Sequence, residues 1–297
     1  MHVIAVAVVS LLMHAVIEGE VIGASGRIGS LLLRAGGGHL VPSIRGDPGA
    51  LSPRGTPLYV ATPASAVPGL LRAVPENRLG DLVLCPNGMM YEVATTVCGA
   101  AASAGMTIGV LYFGVLSCGA EPSTGSTAPA SVAAGPHAAR LAALLDRCSL
   151  RCDALPKAAD ANAAAGAKMM WSSSMWLLCA VHACCIDDVH AQHADQLAAL
   201  VDELYAEVCA SAAADRVLSD DVRLVAVETS LEQMRAYSSS MPGVVPSREL
   251  ALEELTERNG WFVRRARTAG RSQPTHEALL RQVGCWEAAV GNSPASD

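Results

Sequence analysis

The chain has 297 residues, a formal net charge of −7, 51% apolar residues, 16% charged residues and 4% aromatics. That much apolar character supports a large core and excludes a disordered chain. An acidic balance with few aromatics and no basic stripe argues against nucleic acid as a partner.

Residues 3–17, VIAVAVVSLLMHAVI, are continuously apolar. No Lys or Arg precedes them and no clean cleavage site follows, so segment 1–17 reads as a buried strand or helix, as a targeting segment or as a misassigned start. It is short for a membrane span. Val21-Ile22 then leads into GASGRIG, with the helical run Ser30–Arg34 behind it. Glu18 and Glu20 make the strand before this loop a poor one, because parallel strands are usually buried on both faces. Further strands are expected at His39–Ile44, Leu58–Ala61, Asp81–Cys85 and Met106–Phe113, with a helix at Val67–Ala73. Such alternation implies parallel βαβ units. Residues 120–137 are rich in Pro, Gly, Ser and Thr and read as a loop. A helix at His137–Arg147 and a strand at Ser149–Ala154 follow.

From about residue 158 the pattern is helical. Asp160–Cys185 is one long apolar helix. Ala194–Ala213 is amphipathic, with Leu197, Leu200, Val201, Leu204 and Val208 at helical spacing. A third helix covers Leu224–Ala236, and a fourth opens at Pro246-Ser247 and runs to about Ala269. The expected fold is therefore α/β followed by all-α. A Rossmann-type parallel-sheet domain for a dinucleotide occupies 1–157, and an all-helical substrate domain occupies 158–297. No stable membrane span is expected, because the apolar run Met169–Ile186 is interrupted by Ser172, Ser173, Ser174 and His182. Many of the ten cysteines sit in apolar runs, where Cys acts as a small hydrophobe. That usage suits a reducing compartment, cytoplasmic or organellar.

Three features carry chemistry. The first is Gly23, Ser25, Gly26, Arg27, Ile28 and Gly29, a G-x-x-G-x-x-G loop between a strand and a helix. Glycines there let the backbone approach a pyrophosphate at the positive end of the helix. At the end of the second strand Arg45 precedes Asp47, and an Arg in that place accepts a 2′-phosphate, so NADPH is the expected cofactor. The second is Lys168, one of two lysines beside nineteen arginines and the only charged residue between Asp160 and Asp187. It shares a helix face with Ser172 and Met175. A buried ammonium needs a partner, and such lysines often carry proton or carbonyl chemistry. The third is the face Leu250, Ala251, Glu254, Leu255, Arg258, Trp261 and Phe262, which turns Glu254 inward. Gly260 on that helix points to a close approach. Lys168 and Glu254 read either as one polar site or as a structural ion pair. Cys179, His182, Cys184, Cys185, His190 and His193 crowd together, but their spacing matches no zinc pattern and no metal is expected.

The stretch Glu254–Leu280, ELTERNGWFVRRARTAGRSQPTHEALL, closely resembles the C-terminal helix of ketopantoate reductases. CPNGM at Cys85–Met89, GRIG at Gly26–Gly29 and AKMMW at Ala167–Trp171 are similar to other motifs of that family, in the family's order. The resemblance spans nearly the whole chain. It implies an NADPH-dependent reductase of small 2-oxo acids, with Lys168 and Glu254 catalytic. It places Asn87 beside both nicotinamide and substrate, and gives substrate-binding roles to Ser172 and Ser240. A homodimer fits the same resemblance. The chain departs from the family where Ser172 and Trp176 replace asparagines, where the glycine loop has one extra residue, and where Thr62-Pro63 follows the third strand in place of a Lys. Those departures leave an alternative: a dinucleotide-binding sensor or interaction protein of the same fold with lost or altered activity.

Overall fold

In the computed structural model the described residues are 17–115, 117–123, 128–212 and 220–291, the side chains of 211, 212 and 220–227 excepted. The apolar segment expected to be buried or targeting lies almost wholly outside them. Among the described residues seven strands form one sheet: β1 (Gly19–Ile22), β2 (Leu40–Pro42), β3 (Leu58–Val60), β4 (Leu82–Leu84), β5 (Thr107–Val110), β6 (Ser131–Ala134) and β7 (Cys152–Leu155). Their order is β2-β1-β3-β4-β5-β6-β7. All neighbours run parallel except β5 and β6. The chain reverses its direction of growth between β1 and β3, which is where open parallel sheets place a ligand crevice.

Residues alternate along the strands between two cores. Val21, Tyr59 and Val83 join Leu31, Leu141 and Leu145 from helices Arg27–Gly36 and Ala138–Asp146. Leu58, Val60, Leu82 and Leu84 face the other way, into a core continuous with the helical half. Strand β6 lies inside the segment expected to be a loop. Its small residues, Ser131, Ala133 and Ala134, give little β signal, yet they are buried and the Ser131 hydroxyl accepts the Tyr112 N–H at 3.0 Å.

Glu20 does sit in β1, fully buried. Its carboxylate accepts backbone N–H groups from Gly49, Leu51 and Ser52 at 2.8–3.0 Å. Burial alone would raise its pKa, but the neighbouring Ser43 and Ser52 hydroxyls and the N–H groups of Gly49 and Ser52 bring it below the ordinary carboxylate value. Arg78 fastens the same loop through the carbonyls of Gly49 and Ser52, at 2.6 and 2.7 Å. The charge that made this strand look poor is thus an anchor for the connection after β2.

The helical half begins with Ala161–His182. It stops three residues before the expected end because Ala183 adopts φ 52°, and the chain turns by 81° into Ile186–Gln192. Ala194–Ala212 and Asp220–Ser238 follow. The expected helix from Pro246 to Ala269 is two helices, Arg248–Glu253 and Asn259–Thr268, joined by a turn over 254–258. Pro274–Gln282 and Trp286–Val290 complete the half. A Cβ at Gly260 would fall 2.6 Å from the Ala289 carbonyl oxygen, so the close approach is made by the chain itself. Among the described residues no single helix is long and apolar enough to cross a membrane.

Candidate active site

Three loops leave the C-terminal ends of β1, β3 and β4 side by side, because Ile22 pairs with Val60 and Val60 with Leu84. They line one wall of a cleft of about 320 Å³, and the helical half supplies Lys168, Leu250, Glu253 and Glu254 to the other. Gly23 turns at φ 83°, and a Cβ on Gly29 would fall 2.1 Å from the Gly23 carbonyl oxygen. The glycine loop is therefore closed on itself, and helix Arg27–Gly36 starts on the cleft. No acidic residue occupies its first turn; Arg27 stands there instead, donating to the Val115 carbonyl at 3.4 Å. A helix N-terminus with an arginine and no carboxylate favours an anion. The Thr62 hydroxyl, at the end of β3, is buried with no hydrogen-bond partner and its residue lines the same cleft. These features suit a dinucleotide: a tight glycine turn that only Cβ-free residues can make, a positive helix end, and an orphaned hydroxyl.

Lys168 projects from the first turns of the long helix and is half-buried. Its Nζ donates to Asn87 Oδ1 at 2.6 Å. The Asn87 amide nitrogen donates to both carboxylate oxygens of Glu254, at 3.1 and 3.2 Å. Glu254 is ion-paired with Arg258 one turn on. Helical phase had placed Glu254 and Arg258 on one inward face; the turn that replaces the helix keeps that proximity, with Arg258 N–H on the Glu254 carbonyl at 3.0 Å. Burial lowers the Lys168 pKa, and Arg258 lowers it further; Glu254 and Cys85 pull the other way, and it rests at about 8. Cys85, on the cleft floor, is pushed up to about 12 by burial and remains a thiol. Tyr112 presents its ring 6.0 Å from Lys168 Nζ and donates its hydroxyl to the Ala164 carbonyl at 2.8 Å.

Of the residues singled out in the sequence, Gly26, Arg27, Ile28, Asn87, Lys168 and Glu254 line this cleft. Ser172 lies in a small recess beside Lys168 and Asn87, its hydroxyl donating to the Met169 carbonyl at 3.2 Å. Ser25 is exposed, its carbonyl facing the Cys118 thiol at 3.2 Å. Arg45 is exposed in the tight turn after β2, outside the cleft lining. Ser240 is also outside that lining; its hydroxyl donates to the Tyr237 carbonyl at 2.6 Å. Trp176 is not part of the cleft wall either. It is buried and donates its indole N–H to Asn259 Oδ1 at 2.8 Å. The residues that sequence reading missed are Arg258, read only as part of a face, and Thr62, noted only as a departure. Among the described residues no three His, Cys, Asp or Glu side chains are placed to hold a metal ion. In the Cys/His-rich stretch, His182 and His193 stack at 3.6 Å and the Cys185 thiol donates to Asp188 at 3.1 Å.

Residues 160–285 match the family model of the ketopantoate reductase PanE/ApbA C-terminal domain. No curated protein matches the chain. Solved structures share its fold over almost their whole length. A ternary structure of D-mandelate dehydrogenase with NADH and anilino(oxo)acetate has 14% identity and a TM-score of 0.60, covering 92% of this chain and 99% of that one. The 2-dehydropantoate 2-reductase of Methylococcus capsulatus has 18% identity and a TM-score of 0.60, covering 93% and 98%. The dimeric ketopantoate reductase of Staphylococcus aureus has 13% identity and a TM-score of 0.57, covering 92% and 99%.

Proposed function

We propose that this chain, whose residues 160–285 are those of a ketopantoate reductase PanE/ApbA C-terminal domain, reduces a small 2-oxo acid to a 2-hydroxy acid with NADPH. The observation that carries the reading is the Lys168 ammonium, held at 2.6 Å by Asn87 in the same cleft as the glycine loop. NADPH supplies the hydride when bound. The loop Gly23–Gly29 would cradle its pyrophosphate, Thr62 would take a polar group along the crevice, and Arg45 would meet the 2′-phosphate.

As a carbonyl carbon gains hydride, negative charge grows on its oxygen. Lys168 stabilises that oxygen and then gives it a proton. With a pKa of about 8 it is protonated at neutral pH and still close enough to that pH to release the proton easily. Asn87 and Glu254 orient it, and either could take the substrate hydroxyl. Ser172 and Ser240 keep the substrate-side roles that the family resemblance implies. The sheet-bearing part, 1–157, would serve the cofactor and the helical part, 158–297, the substrate. A homodimer is the proposed assembly, and sedimentation equilibrium would measure it.

The test is a panel of 2-oxo acids, ketopantoate and aryl oxo acids included, followed by NADPH absorbance. Turnover with at least one is expected. Tight NADPH binding with no turnover across the panel would reject the reductase in favour of a sensor.

A further inference from the structure

We propose that Arg258 is a positioning residue: it holds Glu254 against Asn87 and thereby fixes the face that Asn87 presents to Lys168. This deepens the reductase reading, on whose proton donor it rests. An amide has a donor end and an acceptor end, and the two are exchanged by a rotation. Here both carboxylate oxygens of Glu254 accept from Asn87 Nδ2, which leaves Oδ1 for the lysine at 2.6 Å. The order therefore depends on Glu254 staying an anionic acceptor in place.

Glu254 is only 24% exposed and Arg258 17%. A carboxylate so enclosed seeks the nearest cation. Without Arg258 that cation is Lys168, one amide away, and a direct Lys–Glu pair would draw the ammonium off the cleft. Arg258 takes the carboxylate first. Its Nε is buried with no partner, so Glu254 is the anchor to which the guanidinium is committed. The pairing also sets a fixed positive charge beside Lys168 and offsets the pull of Glu254. The other groups that face Lys168 are Cys85 from the end of β4 and Tyr112 after β5; Arg27 lines the opposite wall of the cleft and Glu253 the same wall as Lys168. Tyr237 lies against Arg258.

The test exploits the two-lysine composition. In a Lys157→Arg background Lys168 is the sole lysine, and reductive methylation with ¹³C-formaldehyde reports its titration by NMR without any substrate. The parent midpoint is expected near 8. Arg258→Met should raise it by about one pH unit, because a cation is lost and Glu254 is freed. Arg258→Lys should stay near the parent. Where turnover is measurable, the alkaline limb of kcat/KM should move with the midpoint. A folded Arg258→Met protein with an unchanged midpoint overturns the proposal. If that variant does not fold, Glu254→Gln decides: the midpoint should fall, and an unchanged one overturns the chain. A negative substrate panel beside a shifted midpoint would reject the reductase and leave the role of Arg258 standing.

Discussion

Arg258 and Asn259 are neighbours in sequence, and each belongs to a different polar chain. One runs Arg258–Glu254–Asn87–Lys168 along the cleft. The other runs Trp176–Asn259–His276–Gln273 through the helical core, with links of 2.8, 2.9 and 3.0 Å. Each is organised by an asparagine used at both ends. The first is charged and half-buried; in the second Asn259 and His276 are fully buried and neutral. Burial pushes His276 down to about 3, and the single neutral tautomer that satisfies both neighbours has its proton on Nδ1. The contrast teaches that charge is kept where solvent or a ligand can reach it, and excluded where only the fold is served.

The largest expected effect falls on the charged chain. Lys168→Met should cut turnover by about 10²–10⁴-fold while NADPH affinity stays, checked by steady-state kinetics and fluorescence titration. Retained turnover with any good substrate would reject the lysine as proton donor. The neutral chain should respond in stability instead. Asn259→Ala strands the Trp176 N–H and one imidazole nitrogen, for a loss of about 2–4 kcal/mol in urea denaturation. A loss well below that would show the core chain to be no tighter than the cleft.

The two chains should also separate by pH. A neutral amine cannot give a proton, so kcat/KM should fall as pH rises through about 8. His276 acts on the acid side. Its folded pKa is about 3, below the ordinary 6.5, so the unfolded chain binds more protons between those values. The stability this contributes is present above the unfolded pKa and is lost as pH falls towards the folded one. The melting temperature should drop between about pH 6.5 and about pH 4, and His276→Gln should flatten that drop. The smallest effect concerns neither chain. Arg45→Ala should reduce the preference for NADPH over NADH by about tenfold, or ~1.4 kcal/mol, measured as a ratio of kcat/KM values. An unchanged ratio removes Arg45 from the cofactor site.

Much of this was legible in the residues, for physical reasons. The glycine loop is a local device with a local pattern, and Lys168 stood out because its flanks are apolar. Helical phase turned Glu254 inward, and the contact survived even though the helix breaks at 254–258. What stayed hidden depended on residues distant in sequence. Glu20 looked wrong for a buried strand because its three N–H donors come from about thirty residues away. Strand β6 has small side chains, so only its sheet neighbours reveal it. Trp176, which stands where the resembling family has an asparagine, lies two turns beyond Lys168 and bonds to Asn259 in the core.

Asn87 rides on the loop after β4, whereas its two partners belong to the helical half. A separation of sheet from helices would therefore lengthen both of its bonds together. The lysine and the carboxylate of the helical half are thus joined to the sheet through one side chain. With the lysine bond already at 2.6 Å, the ammonium is held in place before any ligand enters, and the crevice keeps its polar end assembled at rest.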